Sequence, residues 1–424
     1  MTSRVMNKNL LPRMKPATAV WICTMLLASM TLAEDWPQFH GPTRNNTTTE
    51  TAWQTAWSPE GPQVAWRAQA GMGMASFAVV DGRVFTAGND GENQDSIWCL
   101  NLADGRVLWR HDHPCRSPAH VMPIVPGGPC ATPCVGGGRV FSVSREGDVL
   151  CLDAAKGMLL WQKSLLKDFH GRRPVYGYAG SALLSQGRLF LDAGGDEGST
   201  VCLDAETGAV VWATGSGEAG YATPVLAEFG SKMRLIMFKG RELVALDPKD
   251  GSVIASHPTT TNDFCNCATP MIGSDGTIFI SHTGNDGSSG LRFDGTTFTV
   301  AWNVPDLGLL YNSGVPWGKN ALMVFNDARR GVNDLRCINF ATGKALWQSA
   351  DVAKGTAILS GDRLIVLSTA GELQLCQPGD GGITVLSRAP VLSGKCWVLP
   401  VLSGKHLLCR NNAGEVVCLK TGAP

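Results

Sequence analysis

Along most of this chain, short apolar or alternating runs are broken by aspartate and glycine. Val149-Leu150-Cys151-Leu152 ends at Asp153, passes Gly157 and resumes as Leu159-Leu160-Trp161. Runs of this length bounded by turn residues predict strands. The aspartate can hydrogen-bond its own turn, and the glycine supplies left-handed backbone, so the segment predicts a hairpin. Just upstream, Cys134-Val135 and Arg139-Val140-Phe141 flank Gly136-Gly137-Gly138 and predict a second hairpin. Four strands therefore follow one another.

The unit recurs. Cys202, Asp204, Gly208 and Trp212 repeat the spacing of Cys151, Asp153, Gly157 and Trp161. So do Cys99, Asn101, Gly105 and Trp109, and Cys337, Asn339, Gly343 and Trp347. Ala245, Asp247 and Gly251 fit with Ala255 in place of tryptophan. Asp294 and Trp302 fit with Phe298 in place of glycine, and Leu375, Gln377, Gly381 and Val385 make a degenerate copy. The closing positions from 66 to 385 lie about 46 residues apart, the period of propeller blades. The last copy, with Cys418 and Lys420, lacks its outer strand, and Gly61 to Trp66 reads as an outer strand with nothing before it. The expectation is an all-β, eight-bladed propeller of four-stranded antiparallel blades over 63–424. Its N- and C-terminal strands share one blade, which closes the ring and covers its edges. Residues 34–62 form an extended segment outside the repeats, so Trp36 is expected to matter less to the core than Trp161.

The frame resembles the tryptophan-docking repeat of the pyrrolo-quinoline-quinone (PQQ)-like propellers, a family that includes quinoprotein dehydrogenases and the outer-membrane assembly lipoprotein B. The stretch Asp35-Trp36-Pro37-Gln38-Phe39-His40-Gly41-Pro42 is similar to the opening of secreted propellers of this kind common in planctomycetes. The resemblance implies that Trp66, Trp109, Trp161, Trp212, Trp302 and Trp347 each dock on the neighbouring blade, and that Ala255 and Val385 weaken two dockings. It is nearly silent on function. The dehydrogenases' adjacent-cysteine pair is absent, and their calcium ligands and catalytic aspartate match no motif here. No cofactor is expected; PQQ and calcium belong to the alternative reading, a quinoprotein-like oxidoreductase.

Composition narrows the classes further. Hydrophobic residues make up 44% and charged residues 17%, so global disorder is excluded. Lys+Arg and Asp+Glu are 36 each, which leaves no basic excess for a nucleic-acid backbone. Arg4, Lys8, Arg13 and Lys15, an apolar run from Ala17 to Met30, and Thr31-Leu32-Ala33 have the pattern of a secretory signal peptide over 1–33. That run is short for a membrane span. An exported protein, in the periplasm or outside the cell, is expected to be a monomer with no transmembrane segment after cleavage.

Candidate chemistry falls in the connections between blades, where irregular loops on a rigid scaffold carry binding residues. His111, His113, Cys115 and His120 lie in the longest. His170, Arg172, Tyr176 and Tyr178 lie in the next, and Tyr221 follows. Asp263, Cys265 and Cys267 belong to another, and Tyr311 and Asn312 to one more. His111-x-His113-x-Cys115 offers metal-ligand types without a fourth ligand at fixed spacing, so no metal site is assigned. The turns around Asp90 and Asp192 lack a full calcium-loop spacing. No nucleophile motif or phosphate-cradling loop is present, and no catalytic residue is assigned. Cys99, Cys151, Cys202, Cys337 and Cys418 read as small buried residues of the frame. Export permits a disulfide among the connection cysteines, with the pairing left open. The expectation is a non-catalytic binding or scaffold module. His111, His113, His120, His170, Arg172 and Tyr178 would line a channel mouth with Tyr221, Cys265 and Tyr311, for a protein, peptide or glycan partner.

Overall fold

Eight sheets of four antiparallel strands are laid down in sequence order at 78–114, 134–164, 183–214, 225–258, 271–304, 315–349, 355–390 and 401–420. The last is completed from the other end of the chain. Val64–Gln69 pairs antiparallel with Glu415–Lys420, with Trp66 opposite Cys418. This computed structural model describes residues 1–2, 34–51, 53, 57, 61–116, 120–122, 125–259, 265–282, 287–327 and 333–421. By its contacts the chain divides into Met1–Leu32 and Ala33–Pro424, and the propeller belongs to the second. The expected signal peptide lies outside the described residues but for its first two.

The repeat frame explains how blades lock. Each closing tryptophan stands opposite a small residue of the third strand: Cys99 with Trp109, Cys151 with Trp161, Cys202 with Trp212, Gly290 with Trp302, Cys337 with Trp347. Its indole then reaches the turn of the next blade. Trp109 Nε1 donates to Ala154 O at 3.0 Å, and its ring lies over Gly157, where an added Cβ would sit 2.5 Å from ring carbon. Gly157 has φ +69°, so glycine is required there for conformation and for clearance. Trp66, Trp161, Trp212 and Trp302 repeat the bond, to Leu102, Ala205, Pro248 and Phe340 carbonyls at 2.8 to 3.2 Å.

Three seams depart from this pattern, and in the one between the seventh and eighth blades Val385 stands opposite Cys376 where the tryptophan would be. Between the fourth and fifth blades, Ala255 and Phe298 remove both the tryptophan and its glycine. Phe229, Phe293 and Phe298 fill the space, with ring centroids 5.0 and 4.8 Å apart. Between the sixth and seventh, Trp347 is present and buried, but its Nε1 has no hydrogen-bond partner among the described residues. The seventh blade's turn glycine, Gly381, has no neighbour within 4 Å of a Cβ position, so no ring rests on it.

A second belt, nearer the axis, is a relay of hydroxyls. Ser76 N donates to Thr132 Oγ1, Thr132 N to Ser181 Oγ, Ser181 N to Thr223 Oγ1, Thr223 N to Thr269 Oγ1 and Thr269 N to Ser313 Oγ, at 2.9 to 3.1 Å. All six residues are buried. The relay joins blades one to six. At the seventh, the Thr356 hydroxyl turns instead to Val398 O at 2.9 Å.

The segment before the repeats is part of the core. Trp36 exchanges backbone hydrogen bonds with Val79 of the first blade, and Pro37 O accepts from Val135 N of the second. Arg44 donates to Leu184 O of the third and Asn46 to Gly314 O at the entry to the sixth. Thr47–Thr48 pairs in parallel with Leu359 and Ser360 of the seventh, and Ser403 of the eighth bonds Glu34 O. The segment thus bridges inner-strand edges on opposite sides of the ring. Trp36, expected to be peripheral, is 1% exposed and joins a cluster with residues of blades one, seven and eight. Periodicity could not reveal this, because the segment carries no repeat.

Candidate functional site

On the axis, a cavity of about 420 Å³ is lined by connections from most of the blades and by the N-terminal segment. Phe39, His40 and Asn46 close it from the segment's side. Tyr176, Tyr221, Tyr311 and Trp397 come from four different connections, with Arg145, Cys130, Cys265 and Cys267 beside them. Three of the chain's four tyrosines line this one space. Tyr311 and Trp397 stack at 4.7 Å with 19° between planes, and Lys395 lies over Trp397 at 4.4 Å. The Tyr176 and Tyr221 rings are 5.8 Å apart, and Tyr221 Oη accepts from Tyr176 N. Tyrosine and tryptophan are the residues that give a binding surface large, rigid, amphipathic contacts.

The cavity is asymmetric. One arm runs into the loosened seam, lined by Val315, Met323, Phe325 and Leu335 of the sixth blade and Ala357 and Leu364 of the seventh. Outside that arm the lining carries polar side chains that are mostly uncharged. Burial holds the His40 imidazole neutral, lowering its pKa to about 3, and its ring stacks on Phe39 at 3.9 Å. Burial raises the Tyr221 phenol and the Cys130 thiol, so neither ionises near neutrality. Arg145 is buried, with Nε on Tyr176 O at 2.7 Å and Nη1 on Gly128 O at 3.1 Å. Asn46 Oδ1 and both amide atoms of Asn312 are buried and meet no hydrogen-bonding group among the described residues. The described lining contains no aspartate or glutamate.

Of the residues singled out in the sequence, Tyr221, Cys265 and Tyr311 meet at the cavity, together with Tyr176, Cys267 and Asn312. His111, His113, His170, Arg172 and Tyr178 are not among its lining residues. The outer strand of the first blade extends through Pro114, which carries His111 and His113 with it. His113 is buried against the second blade, its Nε2 3.1 Å from Asp148 Oδ2. Burial alone would raise the Asp148 carboxyl, but the His113 hydrogen bond and charge hold it below its ordinary value. Arg172 makes two bonds to Asp196 on the exposed surface, and His170 is exposed with φ +51°. Tyr178 is 3% exposed and donates to Ala193 O at 2.7 Å, a bond that ties the third blade's connection down. His120 lies in a short hairpin strand, paired with Pro126, and its side chain is outside the described residues, as is Asp263.

Phe39, His40, Asn46, Arg145 and Trp397 were not singled out. Arg145 stands in the turn between the second and third strands of its blade, Trp397 stands in the connection into the last blade, and the other three precede the repeats, so no shared position links them. Among the described residues, no three metal-ligating side chains come together and no cysteine is in a disulfide bond. The Asp90 carboxylate accepts from the Glu92, Asn93 and Gln94 amides, and Asp192 pairs with the buried Lys239. No helix among the described residues is long and apolar enough to cross a membrane.

Similarity to known proteins agrees with this architecture. The crystal structure of BamB from Moraxella catarrhalis superposes with a TM-score of 0.58 at 15% identity, covering 84% of this chain and 98% of that one. The quinohemoprotein alcohol dehydrogenase ADHIIG from Pseudomonas putida superposes with a TM-score of 0.62 at 13% identity, covering 92% and 81%. At these identities the fold alone is shared. The dehydrogenase subunit of the quinone alcohol dehydrogenase from Komagataeibacter europaeus is 28% identical over 149 residues, which span 32% of this chain and 18% of that subunit. The family model described as outer membrane protein assembly factor BamB matches residues 93–306, half of the chain, and the chain belongs to this family of PQQ-like repeat propellers.

Proposed function

We propose that this is an exported, monomeric, non-catalytic binding propeller that receives part of a protein, peptide or glycan partner in its axial cavity. The observation that carries the reading is the convergence of Tyr176, Tyr221 and Tyr311, with Trp397, on one cavity. Four connections and a buried N-terminal segment hold these rings, so little ordering is left to be done on binding. Export follows from the charge and apolar pattern of residues 1–33. Tyr221→Ala combined with Tyr311→Ala should abolish capture of the partner from an extracytoplasmic extract. An unchanged yield from a folded double variant overturns the reading.

The quinoprotein reading rests on the Komagataeibacter europaeus match. Calcium takes oxygen ligands, carboxylates above all. The described lining supplies amide and carbonyl oxygens but no carboxylate, and its Arg145 is already engaged by two carbonyls. These residues do not fit a calcium-bound quinone. Dye reduction with alcohols after addition of PQQ and calcium would overturn this assignment.

A further inference from the structure

Three features of the cavity bear on what it holds. Asn312 is 8% exposed, and its Oδ1 and Nδ2 both lack a protein partner among the described residues. Asn46 is 3% exposed, and its Oδ1 is in the same condition. The two are held together, because Asn46 Nδ2 donates to Gly314 O at 2.8 Å, two residues from Asn312. A buried carboxamide without partners is costly, so such groups in a lined cavity mark where a ligand's polar atoms belong. Beside them opens the arm between the sixth and seventh blades, walled by Met323, Phe325, Leu335 and Leu364. At that seam the hydroxyl relay ends and Trp347 lacks its docking bond.

Resting on the reading that the axial cavity is a binding site, we propose that it takes an uncharged carboxamide joined to an apolar body. The two Asn312 amide atoms and Asn46 Oδ1 are closed to solvent in this structure, so the ligand reaches them as the two side chains turn toward the cavity; the amide's carbonyl then accepts from Asn312 Nδ2, and its N–H groups donate to Asn312 Oδ1 and Asn46 Oδ1. The apolar body fills the arm between the blades. A carboxylate would face two amide oxygens and could use only the one donor, while an ammonium would leave Asn312 Nδ2 unmet. The same chemistry comes from two sources: a free acyl amide, or the terminal carboxamide of a peptide carrying an apolar side chain.

The test is calorimetric titration of the full chain with hexanamide, hexanoate, hexylamine at neutral pH, acetamide and N-acetyl-leucinamide. Hexanamide or N-acetyl-leucinamide should bind at least tenfold tighter than hexanoate or hexylamine, with acetamide too weak to measure. Asn312→Leu should weaken the better amide at least tenfold. In crystals soaked with 6-bromohexanamide, the bromine should lie between the sixth and seventh blades. Tighter binding of hexanamide points to a free acyl amide, and tighter binding of N-acetyl-leucinamide to a peptide. Hexanoate or hexylamine binding as tightly as the amides, an unaffected Asn312→Leu protein, or bromine elsewhere overturns the proposal. If no compound in the series binds while the tyrosine double variant still loses its partner, the ligand class fails and the site stands.

Discussion

The seam between the second and third blades and the seam between the sixth and seventh are built from the same repeat. In the first, Trp161 reaches the Ala205 carbonyl and lies over Gly208, and Thr132 N meets the Ser181 hydroxyl. In the other, Trp347 has neither bond nor glycine, the relay stops, and the cavity's apolar arm occupies the gap. The closed seam is redundant: several fixed contacts hold it, and each is repeated around the ring. The open seam has given up those contacts where the axial space widens. In a repeat protein whose units mostly contact their neighbours, such a departure costs stability at one interface only. That is how a rigid ring can keep one soft wall next to its binding space.

The largest expected effect tests the ring itself. Deleting residues up to Gln69 removes the strand that completes the eighth blade, together with Trp66 and the whole N-terminal bridge. The truncated chain should aggregate or lose its cooperative melt, because a blade edge and the cluster beneath it are opened. A transition like the parent's, by calorimetry, would show that the seams hold without closure.

Single tryptophans should then separate the two seams. Trp161→Ala should destabilise by roughly 3 kcal/mol in a urea titration, the lower end of the range for a truncated aromatic, because the ring is partly buried. Trp347→Ala should cost about 1 kcal/mol less, the worth of the missing hydrogen bond. Trp36→Ala should fall with Trp161, since the ring is fully buried, rather than with surface positions. Equal losses at 161 and 347 would remove the distinction between closed and open seams.

The belt was legible because its physics repeats. Asp, Gly and Trp at fixed spacing have one reason each, and the same reason holds in most of the blades, so strand count and ring closure followed from the spacing. The hydroxyl relay was equally open to reading in the Ala-Thr-Pro triplets at 131, 222 and 268. The cavity was not. Its residues have no common register: Asn46 comes before the repeats, Arg145 from a turn between strands and Trp397 from a connection. Aromatic type was informative there, since Tyr221 and Tyr311 do line the space, whereas clustering of histidines was not. His113 serves a blade contact with Asp148, and His111 shares its outer strand.

Acid should probe the axial space against the belt. His40 is buried with its folded pKa lowered to about 3, against about 6.5 in the unfolded chain. Between those values the unfolded chain holds a proton that the folded one refuses, so stability falls as pH drops from about 6.5 toward 3. The slope from this group is about 1.4 kcal/mol per pH unit. His40→Asn keeps a residue tolerant of the φ of +65° and removes the titration. Urea titrations from pH 5 to 6.5, above most carboxylate ionisations, should show this slope in the parent and its loss in the variant. Parallel curves would mean that His40 is protonated in the fold.

The smallest effect on stability should come from the residue most exposed to the opposite expectation. Asn312 is buried, and truncating a buried polar side chain ordinarily leaves a partner stranded and costs about 1–3 kcal/mol. Here neither amide atom has a protein partner among the described residues, so nothing is stranded. Asn312→Leu replaces an unmet amide by an apolar group of similar size beside Leu309 and Leu310, and should leave the urea midpoint within about 0.5 kcal/mol of the parent or raise it. Trp161→Ala would then be a stability variant, and Asn312→Leu a binding variant in a protein just as stable. A loss of 2 kcal/mol or more at Asn312 would instead make it a structural group, and the amide pair beside the open seam would belong to the scaffold rather than to the ligand.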